Sequence, residues 1–224
     1  MQNPAISVVI PVLRDTAAAT RLVGSIPAEA PVEVILVDGG DDPALLALER
    51  HGVRIVRSAP GRGNQMNAGA AASSADWIFF LHADSQLPAG WLDALLGVPA
   101  ETLGGWFRFA LDARAWQARL VEWGVRWRVR LFRLPYGDQG IFVRRVTFQA
   151  LGGYDPIPLL EDVAFVRRLV AAGPVLEVPL PLVTSARRWE RDGWFSHSAR
   201  NLAIITGYFA GLSPTRLSRW YERR

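Results

Sequence analysis

The sequence predicts an α/β fold, with a mostly parallel central sheet flanked by helices. Two observations support this prediction. Short apolar runs at residues 34–37 and 77–81 are bounded by turn residues, as strands buried on both faces usually are. Such runs alternate with helical patterns over the first hundred residues, which is typical of parallel βαβ units. Helical patterns then return in the C-terminal part of the chain.

The elements of the first half alternate in type. Asp42 as N-cap, Pro43 in the first turn and Gly52 beyond the end predict a helix at residues 43–50. An alanine-rich helical pattern leads into the strand at 77–81. In order, we expect strands at 6–12, 32–37 and 54–57, a helix at 63–72, and a strand at 77–81.

A tryptophan- and arginine-rich helix is expected from about residue 113 to 134. Its apolar residues recur at steps of three and four, which places them on one helical face. This face is interpreted as core and as cover for a pocket. The alternative is contact with a membrane surface or a lipid-linked acceptor, because tryptophan with arginine suits that interface. The apolar face comprises Trp116, Leu120, Trp123, Trp127, Leu131 and Leu134, and the charged face Arg119, Glu122, Arg126, Arg130 and Arg133.

The remaining elements suggest one domain and an appendage. The apolar run at residues 202–212 is too short to span a bilayer, which requires about 20 residues. A basic helix follows it from Ser213 and Pro214. We predict a domain at residues 1–190 and a C-terminal helical extension at 191–224 packed on it. Further strands are expected at 103–111, 140–143 and 182–185, and a helix at 162–172.

Composition excludes several kinds of chemistry. The 224 residues contain no cysteine, so disulfides and thiolate catalysis are excluded. All 25 basic residues are arginine, which excludes a Schiff-base lysine and a P-loop lysine. The arginines cluster near residues 126–133 and in the tail at Arg219, Arg223 and Arg224, which suits phosphates or an anionic membrane surface. We expect no nucleic-acid partner.

The start of the chain shows no secretory signal, because it lacks a basic segment followed by a long apolar one. A cytoplasmic protein is therefore expected, in peripheral contact with the inner face of the membrane if its arginines bind lipid.

Two aspartates, Asp38 and Asp84, each follow a predicted buried strand. Ligands of open α/β sheets bind outside the carboxyl ends of the strands, so both acids point toward one pocket. Hard divalent cations prefer carboxylate oxygens and neutralise diphosphate charge, and Asp84 is the ligand we favour for Mn²⁺ or Mg²⁺. Taken singly, either aspartate is equally well a turn former. The first strand is followed by no G-x-G-x-x-G motif, which argues against a dinucleotide fold.

Several motifs follow one another in a specific order: residues 7–12 (SVVIPV), 37–40 (VDGG), 80–84 (FLHAD), 137–140 (GDQG), 152–153 (GG) and 160–163 (LEDV). This order resembles the family 2 glycosyltransferases of the GT-A fold, and the resemblance covers most of residues 6–190. The segment PYGDQGIFVRR at 135–145 and the later TSARRW are similar to a bacterial subgroup often called "transferase 2".

The resemblance implies an inverting transfer of a sugar from a nucleotide-diphosphate donor, with UDP favoured, to an acceptor hydroxyl. Asp84 would hold the metal ion, and Asp162, next to Glu161, would act as base on the acceptor. Pro11 and Asp38 would hold the nucleoside. The other donor-binding candidates are Val12, Asp15, Gly39, Arg62, Asn67, His82 and Ala83.

The chain departs from the family pattern at two places. His82 stands where the D-x-D motif has its first acid, and three roles are open for it: metal ligand, hydrogen bond to the nucleotide, or packing. Arg14 and Asp15 replace an Asn-Glu pair, and Asp15 is expected to keep the acid role.

Asp162 is also a candidate on physical grounds. A carboxylate within hydrogen-bond reach of the acceptor hydroxyl accelerates attack on the anomeric carbon. The alternative is that Asp162 only caps the helix that follows, which would contribute about 1 kcal/mol.

Other polar and aromatic residues complete the predicted site. Arg62 lies before a helix N-terminus and is either an anion-binding residue or an exposed loop arginine. His197 is either a third metal ligand or a surface histidine. Arg187 and Arg188 can clamp a diphosphate, and Trp189 can stack on a ring. The candidates for the acceptor or diphosphate are Trp106, Asp138, Gln139, Arg187, Arg188 and Trp189.

Two alternatives to a glycosyltransferase remain open. A sugar nucleotidylyltransferase shares the layered fold, but its glycine-rich, lysine-containing first loop is missing here. A non-catalytic module that binds a nucleotide sugar or a membrane surface would use the same pocket without turnover. Loss of transfer in an Asp162→Asn variant that still binds the donor would separate an enzyme from such a module.

Overall fold

A computed structural model describes residues 4–27, 30–51 and 53–222. Its seven-stranded sheet has the order β3-β2-β1-β4-β6-β5-β7. Strand β6 is antiparallel to both of its neighbours, and the other neighbouring strands are parallel. The predicted mostly parallel sheet is therefore confirmed. The strands are β1 Ile6–Val12, β2 Val32–Asp38, β3 Val53–Arg57, β4 Trp77–Phe80, β5 Gly104–Leu111, β6 Ile141–Arg144 and β7 Val175–Thr184.

Helices connect the strands and cover both faces of the sheet. The predicted helix at 43–50 is a 3₁₀ helix, Pro43–His51, and Asp42 accepts the Ala44 N–H at its start. Gly52 and the tail residues Arg223 and Arg224 lie outside the described residues. The α-helices are α1 Thr16–Gly24, α2 Arg62–Ala72, α3 Trp91–Leu96, α4 Trp116–Phe132, α5 Arg145–Ala150, α6 Glu161–Ala172, α7 Arg187–Asp192, α8 Trp194–Phe209 and α9 Pro214–Glu222.

The two faces of the sheet form separate cores, because side chains alternate along each strand. Val8 and Ile10 of β1 point to the face covered by α1 and α3, whereas Val9 points to the face covered by α2, α5 and α6. All three valine and isoleucine side chains are fully buried. Burial on both faces explains why the strands read as continuous apolar runs.

The parallel register brings the strand ends together at one edge of the sheet. Val12 at the end of β1 lies opposite Asp38 at the end of β2, and β4 pairs with the other side of β1. Leu81 continues this pairing through a 3.0 Å bond from its N–H to the Val9 carbonyl. The segment that carries Asp84 therefore leaves the sheet beside the end of β1.

The apolar face predicted for α4 is mostly exposed and is not a core face. Five of the six predicted apolar positions are 41–65% exposed, and only Leu134 is buried. The residues of α4 that are buried are Ala118, Glu122 and Val129. Glu122 was assigned to the exposed charged face, but its carboxylate accepts the Leu111 N–H at the end of β5 at 2.8 Å. The small Ala118 and this polar contact let the helix approach the strand, and its tryptophans face outward.

Strand β7 is longer than the predicted strand at 182–185, although it contains Pro179 and Pro181. It lies at the edge of the sheet, and its register with β5 shifts between Phe107 and Arg108. Prolines are tolerated at edges and irregularities because no ladder hydrogen bond is lost there.

The C-terminal helices pack on the start of α6. Ile204 and Ile205 of α8 and Leu217 of α9 share a buried cluster with Leu160 and Val163. The domain boundary predicted at residue 190 falls inside α7, so the expected extension is continuous with the domain at that point. Within residues 4–27, 30–51 and 53–222, no helix combines the length and hydropathy that crossing a bilayer would require.

Candidate active site

An outer pocket of about 900 Å³ lies at the carboxyl ends of β1 and β4. Pro11 comes from the end of β1, Arg62 from the start of α2, and Ala83 and Asp84 from the segment after β4. Cavities of this size are typical of small-molecule sites. The parallel half of the sheet thus places Pro11, Arg62 and Asp84 around one opening, whereas Asp38, the other predicted strand-end acid, does not line it.

A smaller inner pocket of about 140 Å³ adjoins the outer one. Both pockets are lined by Arg62, His82, Asp84 and Arg188, which therefore form their junction. The inner pocket also has polar and aromatic walls drawn from the second half of the chain: Tyr136, Asp138, Asp162, Trp189, His197 and Asn201.

Arg187 of α7 spans the mouth of the outer pocket. Its Nη2 lies 3.5 Å from Asp15 Oδ2 and 3.8 Å from Asp84 Oδ2. The arginine is largely exposed, so each of these contacts contributes little to stability. Asp15 also caps α1, since its side chain accepts the Ala18 N–H. Arg187 can therefore exchange its carboxylate partners for another anion at small cost.

His82 lies at the junction as a neutral imidazole. Burial lowers its pKa to about 3, and the nearby positive charges of Arg62 and Arg188 lower it further in the same direction. A neutral imidazole has a lone pair for a metal ion or for a hydrogen bond. Gly137 fits closely beside it, because a Cβ at that position would lie 3.0 Å from His82 Nε2 and 3.3 Å from Asp162 Oδ2.

Asp162 lies in the first turn of α6 and faces the inner pocket. The N-cap residue of this helix is Leu160, in a left-handed conformation, and not Asp162. Asp162 Oδ2 accepts the Gly137 N–H at 2.6 Å, and Oδ1 accepts the Val163 N–H at 2.7 Å. These two backbone donors fix the carboxylate on the wall of the pocket.

Asp138 is a second carboxylate in the inner pocket. Burial raises its pKa to about 6, and the charge of Asp162 acts in the same direction, although Arg128 opposes both. Among the described residues, no hydrogen-bond partner reaches its buried Oδ1. An unpartnered carboxyl oxygen in a pocket is a ready contact for a ligand hydroxyl.

Glu161 does not reach either pocket but holds Arg62 at the junction. Its side chain is only 2% exposed, and Oε1 lies 3.0 Å from Arg62 Nε. Burial raises the pKa of Glu161, whereas the positive charge of Arg62 acts in the opposite direction. Arg62 is therefore held in place by an ion pair and is not a free loop arginine.

Several predicted residues lie outside the lining of both pockets. Asp38 accepts the N–H groups of Gly40 and Asp42 with its two oxygens, at 2.8 and 2.9 Å, so it shapes its own turn. Asn67 uses both ends of its amide on the Tyr154 backbone. Trp106 lines a separate cavity between α4 and the edge of the sheet. Val12, Gly39 and Gln139 also lie outside the two linings.

His197 is buried, and the expectation of a surface histidine is wrong. It is 2% exposed, and its ring lies 4.7 Å from that of Trp189. Its Nδ1 lies 3.3 Å from Asp192 Oδ2 and 3.0 Å from Arg200 Nη2. Burial lowers the pKa of this imidazole. With Nδ1 engaged, the ring serves mainly as a wall of the inner pocket.

Sequence reasoning missed four residues that build the site. Buried Gln65 donates from Nε2 to the carbonyls of Val12 and Val37, both at 2.8 Å, and so ties α2 to the ends of β1 and β2. Its position in the alanine-rich helix was the available signal, because a buried amide there needs partners. Tyr136, Asn201 and Tyr221 line the inner pocket from segments that are far apart in sequence, and no local pattern marks them.

Residues 7–109 match the model of the family "Glycosyl transferase family 2". An uncharacterised glycosyltransferase of Mycobacterium tuberculosis is 31% identical over 144 residues, and one of Mycobacterium bovis matches equally. The match covers 62% of this chain and 66% of those relatives, so it spans just under two thirds of their length.

Two solved structures share the fold. TarS from S. aureus, in complex with UDP-GlcNAc, superposes with a TM-score of 0.61 at 14% identity, over 80% of this chain and 58% of TarS. Glucosyl-3-phosphoglycerate synthase from Mycobacterium tuberculosis, in complex with Mn²⁺, UDP and phosphoglyceric acid, has a TM-score of 0.61 at 20% identity. That superposition covers 93% of this chain and 79% of the synthase. Taken with the sheet topology, these similarities show the GT-A fold and a segment, residues 7–109, that matches glycosyltransferase family 2.

Proposed function

We propose that this chain is an inverting glycosyltransferase that binds a nucleoside-diphosphate sugar in the outer pocket and an acceptor hydroxyl in the inner pocket. The observation that carries the proposal is the junction of the two pockets, where Asp84 lines both pockets and Asp162 lines the inner one. The match of residues 7–109 to glycosyl transferase family 2 supports a sugar as the group that the donor carries. The complexes of the two structural neighbours with UDP-GlcNAc and with UDP favour a uridine nucleotide.

The junction suits the diphosphate of such a donor. Arg62 and Arg188 line both pockets, and Arg187 lies at the mouth of the outer one. Guanidinium groups bind phosphate oxygens bidentately. In this proposal the diphosphate displaces Arg187 from Asp84 and Asp15, and Pro11 and Asp15 border the nucleoside.

The residues present fit a divalent cation that arrives with the diphosphate. No group of three or more histidine, aspartate and glutamate side chains is gathered for a metal ion in the described parts of the chain. Mg²⁺ and similar ions are commonly held by one or two carboxylates together with substrate phosphates, so a complete protein cage is not required. Asp84 would hold the ion, and the neutral His82 is suited to assist it. The bound ion would neutralise the charge that builds on the leaving diphosphate.

Asp162 acts as the general base in this proposal. The acceptor hydroxyl donates its proton to the carboxylate while its oxygen attacks the anomeric carbon from the side opposite the diphosphate, which inverts that centre. Its bonds to the N–H groups of Gly137 and Val163 hold the carboxylate still during the transfer. Asp138 accepts a hydrogen bond from the acceptor substrate or donates one to it. Trp189 packs against a ring of that substrate.

Replacement of Asp162 tests the proposal. We expect Asp162→Asn to lower turnover by about 10²- to 10⁴-fold, the usual contribution of a general base. Asparagine keeps an acceptor oxygen for the Gly137 N–H, so the affinity for UDP should stay within about twofold. Nucleotide release from UDP-, GDP- and dTDP-sugars, with and without Mn²⁺, measures turnover. Isothermal titration measures the affinity for UDP.

Two further variants complete the test. Asp93→Asn on the exposed surface of α3 is the matched control and should change neither quantity. Asp84→Asn should weaken UDP binding in the presence of Mn²⁺ but not in its absence. UDP-sugar binding by the wild type without any turnover would instead indicate a binding module. Full turnover of Asp162→Asn would show that another group is the base.

A further inference from the structure

An apolar groove of about 460 Å³ runs between α4 and α8. Val121 and Val125 line it from α4, Ile205 from α8, and Phe109 from β5. Nine of the other fifteen lining residues are also apolar or aromatic, and the polar ones are Gln117, Arg128, Asp138, Ser198 and Asn201. A groove of this character offers little to a sugar or a peptide backbone, whose polar groups would lose hydrogen bonds to water without replacing them.

The groove opens into the inner pocket of the active site. Tyr136, Asp138, Trp189 and Asn201 line both cavities. Asp138, whose buried Oδ1 has no partner among the described residues, therefore lies where the apolar groove meets the polar pocket. A molecule lying along the groove would present its end to Asp138 and, beyond it, to Asp162.

The rim of the groove is exposed and strongly apolar. Leu131 and Phe132 of α4 are 64% and 71% exposed, and Phe195 and Leu202 of α8 are 63% and 66% exposed. Contiguous exposed apolar residues often mark a site that contacts another protein, a membrane or an apolar ligand. Arginines at 126, 130 and 133 are exposed on the same helix or just after it. They supply positive charge for the phosphate of an amphipathic molecule.

We propose that the groove between α4 and α8 holds the hydrocarbon chain of a lipid-type acceptor, with its hydroxyl-bearing end at Asp138 and Asp162. This inference rests on the proposed function, because it names the class of acceptor for the same site. A hydrocarbon chain can pack against the apolar side chains of the groove. The polar end of the molecule then contacts the polar residues where the groove meets the inner pocket. Continuity with the inner pocket favours this occupant over a second copy of the chain.

Gly124 provides a way to block the groove. It lines the groove on α4, and a Cβ built there meets no atom within 4 Å. The Cβ of a leucine at this position therefore has room, and we expect the rest of its side chain to extend into the groove. Gly24 at the end of α1 also has no atom within 4 Å of an added Cβ, and Gly24→Leu is the matched control. Leu202→Gln on the facing helix is a second groove variant.

The probe is a dodecyl maltoside brominated on its alkyl chain, used below its micelle concentration. Trp127 and Trp194 line the groove, so a bound bromoalkyl chain should quench their fluorescence. We expect saturable quenching for the wild type and for Gly24→Leu, and none with maltose alone. Gly124→Leu should weaken the binding at least tenfold, and Leu202→Gln several-fold. Thermal unfolding followed by circular dichroism shows whether each variant is folded.

UDP binding, measured in parallel, separates the two proposals. UDP binding without saturable quenching, or equal quenching of wild type and Gly124→Leu, overturns the groove proposal and leaves the proposed function standing. Quenching without UDP binding overturns the proposed function and, with it, the acceptor role of the groove. A wild-type dimer that Gly124→Leu converts to a monomer in sedimentation equilibrium would assign the groove to a second copy and overturn the lipid proposal.

Discussion

Helices α2 and α4 both pack against the sheet, but they do so in opposite ways. Helix α2 has no stripe of large apolar residues, yet it buries Gly63, Gln65, Met66, Gly69 and Ala70. Helix α4 has a regular stripe of tryptophan and leucine, yet most of this stripe is exposed. The hydrophobic periodicity of α4 therefore marks an apolar face but does not show whether that face is buried. On α2, small residues mark the side of the helix that packs closely against the sheet.

The difference follows from the distance between helix and strand. A Cβ on Gly69 would lie 2.3 Å from Val9 Cγ1 and 2.9 Å from Val37 Cγ2, so α2 lies almost directly on β1 and β2. This approach brings Arg62, at the start of α2, to the junction of the two pockets. In α4, the small Ala118 and the polar contact of Glu122 lie at the end of β5, and most of the tryptophan and leucine side chains point away from the sheet.

Of the substitutions that test this difference between α2 and α4, Gly69→Ala is expected to change the unfolding free energy most. The added methyl group has no space between Val9 and Val37, so the helix must move or the valines must leave their rotamers. Overpacking of this kind costs about 3 kcal/mol of unfolding free energy, the upper part of the usual range. Urea denaturation followed by circular dichroism measures the change. An unchanged midpoint would mean that α2 does not lie this close to the sheet.

A smaller loss is expected from Gln65→Leu. Leucine fills a similar volume but donates no hydrogen bond to the carbonyls of Val12 and Val37. We expect a loss of about 2 kcal/mol, within the range for buried acceptors left without a donor. The same denaturation experiment measures it. Gln65→Glu is a useful companion, because a carboxylate facing two carbonyls should destabilise the protein more than leucine does.

The smallest effect, of opposite sign, is expected from Gly124→Ala on α4. An added Cβ meets no atom within 4 Å there, and alanine favours the helix over glycine by about 0.5–1 kcal/mol. The unfolding free energy should therefore rise by about that amount. Loss of stability at position 124 would show that α4 is as tightly packed as α2, and the contrast between the two helices would disappear.

The parallel half of the fold could be predicted because its signals are local. The apolar runs of β1, β2 and β4 are buried on both faces, and turn residues follow each of them. Asp84, in the segment after β4, accordingly lines a pocket at the carboxyl ends of these strands. Helix α1 was missed, because its short, alanine-rich sequence lacks a strong apolar stripe and Asp15 was assigned to the nucleotide instead of to the cap.

The inner pocket could be predicted only in part, because its walls depend on long-range packing. Asp138 and Asp162 were found through motifs, but Asn201 and Tyr221 reach the pocket only after α8 and α9 fold back onto α6. Asp38 shows the reverse case, since an aspartate before two glycines also matches a turn. Both of its oxygens serve that turn.

The prolines of β7 have a consequence for the behaviour of the protein in solution. A strand at the margin of a sheet exposes backbone groups onto which a strand from another molecule can add. Pro179 and Pro181 cannot donate at this margin, and the register shift beside them breaks the flat edge that an added strand requires. The β7 edge is thereby protected against intermolecular β-addition, whereas β3, at the opposite edge of the sheet, contains no proline.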